Sequence, residues 1–312
     1  MILCLAANPS IDKLFEVDRL VRGDIHRPTG FTQVAGGKGL NVARAAHALG
    51  ADVRLAGILR GHAGRWLSEA LAAEGVRGEF VWTHGENRSS LSVADRETGA
   101  LTEFYENGSE VPSASWTELV DIVARSFGHG LWLTISGSLP PGAPEDGYRD
   151  LVSEARAAGV RVALDSEGER LRLALEAGPD VVKVNAAEAG ELLALPTTRH
   201  TEAIAAAQKL RELAGGEGRA GLVTRGAEGV VLAAPDESLY EAGLYVRGRY
   251  PVGSGDSFLA GLVVALDRGD GWANALRLAL GAATANAEIP GAGRLDVSRA
   301  VELARRAVVR VL

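Results

Sequence analysis

The sequence predicts an α/β protein: a doubly wound, mostly parallel sheet covered by helices on both faces, with a small β-sheet lid. Apolar runs of four to seven residues alternate with alanine-rich helical segments through most of the 312 residues. Strands alternating with helices imply parallel strands joined by crossover helices. Two stretches break that rhythm with half-polar alternating strands, the mark of a sheet with one face turned to solvent or to a ligand. Glycine makes up 39 of 312 residues, well above the usual ~7%, and it clusters in short groups suited to tight turns close to a ligand.

The main-sheet strands are expected at Ile2–Ala7, Val53–Leu59, Leu131–Ile135, Val160–Leu164, Val181–Val184 and Leu222–Thr224. Helical spacing of apolar residues marks Val42–Leu49, Trp66–Ala73 and Leu151–Ala158. The lid takes Leu14–Val17 and Phe31–Val34, then Phe80–Trp82, Ser89–Asp95 and Ala100–Tyr105, so that it is inserted at about 12–35 and 80–106. The C-terminal third returns to helices at Ser257–Asp267, Trp272–Ala287 and Asp296–Val311. No linker, repeat or low-complexity tract divides the chain, which is expected to form one domain over residues 1–312.

Composition excludes several classes. A formal charge of −7 gives no global basic field to attract nucleic acid or an anionic membrane, so an anion must be held by local groups. The single Cys4 rules out an internal disulfide and a multi-cysteine zinc site, and suits a reducing compartment. The apolar start lacks a basic leader and ends at Asn8-Pro9-Ser10, and the later run Phe258–Leu266 is far short of the ~20 residues that span a bilayer. A soluble, cytoplasmic protein is expected. Histidines 26, 47, 62, 84, 129 and 200 show no metal-ligand spacing.

Val252-Gly253-Ser254-Gly255-Asp256-Ser257 runs straight into an apolar helix. Glycines here let backbone amides turn inward at a helix N-terminus, where unpaired N–H groups and the dipole favour an anion. An ordinary cap by Asp256 or Ser257 is the plainer reading. A carboxylate inside an anion-binding turn repels a ground-state phosphate, however, and makes sense if it takes a proton from an attacking hydroxyl. Gly36-Gly37-Lys38-Gly39-Leu40-Asn41 opens another helix but fails the P-loop pattern, since Gly39 follows Lys38; it is either a tight turn or a place where backbone, Lys38 and Asn41 meet a polar substrate. Gly216-Glu217-Gly218-Arg219-Ala220-Gly221 stands after a helix and before a strand, the reverse of the dinucleotide context, and reads as a loop. Ser136-Gly137-Ser138-Leu139-Pro140-Pro141-Gly142 reads as a turn rather than a nucleophile elbow. Asp12, Lys13, Arg27 and Arg88 lie in or beside the lid. Singly such charges are ordinarily just solvated, but Arg27 and Arg88 together could fix a phosphate carried by a substrate.

Asn8-Pro9-Ser10-Ile11-Asp12, Gly36 through Arg44, Ser136 through Gly142, Asp165-Ser166-Glu167-Gly168, Lys183-Val184-Asn185-Ala186-Ala187-Glu188 and Gly253 through Ser257, in this order, resemble the ribokinase-like PfkB carbohydrate kinase family over essentially the whole chain. The first three are similar to its phosphohexose kinase branch, which includes 1-phosphofructokinase, tagatose-6-phosphate kinase and the minor bacterial 6-phosphofructokinase. The resemblance implies that Asp256 is the base and that the amides of Gly253, Ser254, Gly255 and Asp256 form the anion hole. It implies sugar binding by Asp12, Gly37, Lys38 and Asn41, with Arg27 and Arg88 on the existing phosphate and Ser138 nearby. Asn185 and Glu188 match an Asn-x-x-Glu motif that organises magnesium and the nucleotide phosphates. Lys183, Thr224, Gly226 and Asn286 fall on the nucleotide side. The chain departs from the family with Val184 where Lys-Pro-Asn is common, Ser254 where Gly-Ala-Gly-Asp is common, and Arg225 where an apolar residue is common.

The function so implied is ATP- and Mg²⁺-dependent phosphorylation of a hexose phosphate, with fructose 1-phosphate first, giving fructose 1,6-bisphosphate. Tagatose 6-phosphate, fructose 6-phosphate, a non-phosphorylated sugar or a nucleoside are the alternative acceptors, and a sugar-phosphate-binding regulator is the non-enzyme alternative. No nucleic acid or membrane partner is expected. A homodimer through the lid is implied by the resemblance.

Overall fold

The computed structural model describes residues 1–128 and 130–312, so that of the six histidines His129 lies outside the described residues. A large sheet is assembled from β1 (Ile2–Ala6), β4 (Val53–Arg60), β5 (Gly78–Thr83), β8 (Trp132–Ser136), β9 (Arg161–Asp165), β10 (Val181–Asn185), β11 (Ala220–Thr224), β12 (Val230–Ala233), β13 (Leu239–Gly243) and β14 (Val308–Val311). Its order is β14-β13-β12-β11-β10-β9-β8-β1-β4-β5. From β5 to β11 neighbours run parallel, and β11 to β14 are joined antiparallel.

The pleat of β1 explains why the sheet is buried on both sides. Ile2, Cys4 and Ala6 enter one core and Leu3, Leu5 and Ala7 the other. The first core holds α1 (Lys38–Ala48), α2 (Gly61–Ala73), α8 (Ser254–Asp267), α9 (Trp272–Glu288) and α10 (Val297–Arg306); the second holds α3 (Ser113–Arg125), α4 (Gly147–Ala157), α5 (Gly168–Glu176), α6 (Ala186–Leu193) and α7 (His200–Leu213). Helix α8 is buried at every residue from Asp256 to Ala265, which accounts for its unbroken apolar run. Burial of this kind, at roughly 25 cal/mol per Å² of apolar surface, holds such a layered fold together. No described helix is long and apolar enough to cross a membrane.

A second sheet of β2 (Ser10–Val17), β3 (Gly30–Gly36), β6 (Arg88–Asp95) and β7 (Leu101–Tyr105) has the order β3-β2-β6-β7. It forms the lid. Asp12 pairs with Ser90 and Ser90 with Tyr105 across the strands, and these residues share the face toward the cleft with Ser92 and Glu103.

Three expectations are corrected. Phe80–Trp82 is not lid: as β5 it is the outer strand of the main sheet, parallel to β4. Val81 is fully buried while Trp82 is 52% exposed; an edge strand covered mainly on one side shows the same alternation as a lid strand, so the second lid insertion begins at Arg88. The helix expected over Asp296–Val311 stops at Arg306, and the β-branched Val308-Val309-Arg310-Val311 pairs antiparallel with β13. Nor is the C-terminal third purely helical, because β12 and β13, too short to show a period, extend the sheet.

Candidate active site

Counting outward from β1, the chain builds one side of the sheet through β4 and β5 and the other through β8 to β11. The crevice beyond the carboxyl ends of β1 and β8 is therefore the switch point where open α/β sheets bind ligands. A cleft of about 1160 Å³ lies there. Asn8, just past β1, donates from Nδ2 to Ser138 Oγ at 3.1 Å, just past β8, closing the crevice floor.

Two helices aim their N-termini at this cleft. The N-cap Gly37 of α1 has φ +92° and the N-cap Gly253 of α8 has φ +80°, a left-handed backbone open to glycine and costly for other residues. Helix α1 starts at Lys38, four residues earlier than the apolar spacing suggested, so Asn41 lies one turn inside it. Asp256 is in the first turn of α8. Asn41 Nδ2 donates to Asp256 Oδ2 at 2.8 Å, joining the two helix ends. Burial and the nearby Asp165 carboxylate raise the Asp256 pKa to about 7, against the opposing pull of Lys38, the Asn41 hydrogen bond and Lys183.

Asp165 ends β9 and is fully buried. It accepts from Lys38 Nζ at 2.9 Å and from Lys183 Nζ at 2.6 Å. Burial opposes its charge, but the two ammonium groups win and hold its pKa below the ordinary carboxylate range. Burial likewise opposes the charge on Lys38, which Asp165, Glu188 and Asp256 outweigh, so that Lys38 stays protonated. A Cβ on Gly255 would lie 3.0 Å from Lys183 Nζ, which places that ammonium against the Gly253–Asp256 turn.

On the far side, Asn185 caps α6: its side chain accepts from Glu188 N at 2.9 Å, while Glu188 Oε2 accepts from Asn185 N at 2.8 Å. Glu188 Oε1 is left with Lys38 Nζ at 3.4 Å. Among the described residues no group of three His, Cys, Asp or Glu side chains is disposed to hold a metal. A magnesium ion commonly keeps several waters and takes one or two carboxylates plus substrate phosphates, and Glu188 with Asn185 fits that mode. Thr224 and Gly226 line the same end of the cleft.

The lid supplies the opposite wall. Asp12 accepts from Ser10 Oγ at 2.5 Å and Gly37 N at 3.3 Å; burial raises its pKa against both contacts. Arg88 Nε donates to Asn8 O at 3.1 Å, and Nη1 to Ser90 Oγ and Glu106 O at 3.3 Å each, which aims the guanidinium along the cleft.

Asp12, Gly37, Lys38, Asn41, Arg88, Ser138, Lys183, Asn185, Glu188, Thr224, Gly226, Gly253, Ser254, Gly255 and Asp256 all line this one cleft. Arg27 and Asn286 do not. Arg27 is exposed on the loop between β2 and β3, at the far end of the lid. Asn286 is fully buried behind the glycine turn, accepting from Ser257 Oγ and Gly293 N and donating to Val252 O and Ser254 Oγ; its amide braces the loop and leaves none of these atoms to an adenine. Asp165 belongs to the Asp165-Ser166-Glu167-Gly168 stretch that resembles the family, but the sequence alone gives it no task. Nothing local marked Glu103 or Tyr105, because their lining position depends on lid register.

The model of the pfkB family carbohydrate kinases matches residues 5–298. A 1-phosphofructokinase of Haloferax volcanii is 34% identical over 296 residues, 94% of this chain and 92% of that protein. A tagatose-6-phosphate kinase of Staphylococcus epidermidis is 31% identical over 269 residues, 85% of each. The crystal structure of phosphofructokinase-2 from Escherichia coli in complex with substrates and products superposes with a TM-score of 0.90 at 26% identity, covering 97% of this chain and 98% of that one. With a glycine turn opening α8, a buried carboxylate in its first turn, a relative 34% identical along 94% of the chain and a family model matching residues 5–298, the chain belongs to the pfkB family of carbohydrate kinases.

Proposed function

We propose that this cytoplasmic enzyme transfers the γ-phosphoryl group of ATP to a hydroxyl of fructose 1-phosphate, giving fructose 1,6-bisphosphate. The observation that carries the reading is Asp256: a carboxylate in the first turn of α8, inside a turn of amides that favours anions, with a pKa raised to about 7. A base poised near the working pH is what proton removal from an alcohol requires. A relative named 1-phosphofructokinase, aligned along 94% of the chain, supports the acceptor. A relative named tagatose-6-phosphate kinase favours tagatose 6-phosphate as second choice.

In the proposed reaction the acceptor lies between lid and floor, held by Asp12, the Gly37 amide, Lys38 and Asn41, with its existing phosphate on Arg88 near Ser138. Asp256 takes the hydroxyl proton as oxygen attacks phosphorus in line. The amides of Gly253, Gly255 and Asp256 and the ammonium of Lys183 stabilise charge on the transferring oxygens, already oriented before the reaction; the Ser254 amide, expected in the same anion hole, instead donates to Pro251 O at 3.1 Å. Lid closure excludes water. Glu188 and Asn185 would hold Mg²⁺ through water, and Thr224 and Gly226 would flank the nucleotide; the chemistry supplied there would be neutralisation of phosphate charge.

The test is ATP consumption with fructose 1-phosphate, fructose 6-phosphate, tagatose 6-phosphate, ribose and a nucleoside, run on the wild type and on Asp256→Asn. Fructose 1-phosphate should give the highest kcat/KM, and the substitution should lower kcat by roughly 10²–10⁴-fold. Near wild-type turnover by a folded Asp256→Asn protein would sink the assignment of the base, and no turnover with any acceptor would favour a binding regulator.

A further inference from the structure

Arg44 is a charged side chain with 5% exposure, inside α1, and the scheme above gives it no task. Four of its five N–H donors are directed. Nε donates to Glu74 Oε2 at 2.6 Å, Nη1 to Ala292 O at 3.0 Å and to Asn41 Oδ1 at 3.3 Å, and Nη2 to Ala35 O. Ala35 is at the root of the lid, in β3. Ala292 packs against the glycine turn: a Cβ on Gly253 would meet its Cα at 2.7 Å.

The contact with Asn41 has a chemical consequence. A guanidinium only donates, so only the carbonyl oxygen of the Asn41 amide can face Arg44. The amide nitrogen is thereby turned to Asp256, where it donates to Oδ2 at 2.8 Å. Among the described residues no hydrogen bond reaches Oδ1 of Asp256, and that oxygen is left for an acceptor hydroxyl. We propose that Arg44 is a positioning residue for phosphoryl transfer: through the Asn41 amide it fixes which oxygen of Asp256 is occupied and which meets the acceptor, while tying the lid root and the Gly253 turn to the same point. The inference rests on Asp256 being the base.

Arg44→Lys keeps the charge but cannot reach these separate acceptors with one ammonium. The experiment is a double-mutant cycle in single-turnover and steady-state kinetics on the full-length enzyme, with wild type, Arg44→Lys, Asn41→Ala and the double variant, each checked for folding by circular dichroism. Arg44→Lys should lower the rate of phosphoryl transfer about tenfold or more with KM for ATP changed less than about twofold, and in the Asn41→Ala background the same change should cost less than about twofold. An unchanged transfer rate, or the same loss in both backgrounds, overturns the proposal. Should Arg44→Lys not fold, Arg44→Met made together with Glu74→Met removes the ion pair without stranding either charge, and the same outcomes decide. Asp256→Asn run alongside separates the two failures. If it stays active the base is wrong; if it is inactive while Arg44 behaves additively, only the role of Arg44 is lost.

Discussion

Asp256 carries two demands that conflict at the level of a single residue. Its burial and the neighbouring Asp165 raise its pKa to about 7, and only the deprotonated form accepts a proton. For the free enzyme kcat/KM should therefore fall tenfold per pH unit below about 7 and level off above it; a flat profile down to pH 5 in a pH-rate measurement would contradict this. Arg88 offers a separate prediction. Because its guanidinium is aimed along the cleft by Asn8, Ser90 and Glu106, Arg88→Ala should raise KM for a sugar phosphate by about tenfold or more while leaving KM for ATP within about twofold. Initial-rate kinetics check it, and a neutral sugar should scarcely notice the change. The sequence made these two residues legible as a carboxylate in a glycine turn and an arginine beside a half-polar strand. It did not reveal the Lys38–Asp165–Lys183 cluster, because residues 38, 165 and 183 meet only when α1, β9 and β10 are brought side by side.

Among elements, the N-terminus of α8 leaves little room for substitution. Gly253 combines φ +80° with a backbone neighbour, Ala292 Cα, 2.7 Å from where a Cβ would sit. Gly253→Ala should then displace the turn and lower kcat by at least about a hundredfold, the scale of losing an oriented oxyanion donor, while most of the fold survives; activity assays beside a thermal melt check it. Strands buried on both faces, such as β1 and β10, were readable as apolar runs, and so was α8. Strand β5 is misplaced because edge position imitates a lid strand, β12 and β13 are not marked because short antiparallel additions carry no period of their own, and β14 reads as a continuation of the helix before it. Asn286 shows the same limit from the other side: an asparagine inside a helix gives no hint whether it faces a ligand or braces a loop.

For the molecule as a whole, the lid presents one face to the cleft and another to solvent. Phe31 and Phe104 are each 60% exposed there, and the β3 and β7 edges of the four-stranded lid sheet have no further strand beside them among the described residues. Such edges and apolar surface are what a protein ordinarily covers. The homodimer through the lid that the family resemblance implies should therefore appear in light scattering at micromolar concentration, and Phe31→Lys with Phe104→Lys should shift it to monomer; an unchanged mass would exclude this face.

The first insertion of the lid joins the main body beside the cleft. The chain enters it from β1 through Asn8 and Pro9 and leaves from β3 into α1 through Gly36 and Gly37, and Asn8, Pro9 and Gly37 line the cleft. A sugar that touches them touches the joints. Closing the lid and binding the acceptor would then be one mechanical event, which would keep water from the nucleotide until an acceptor is in place.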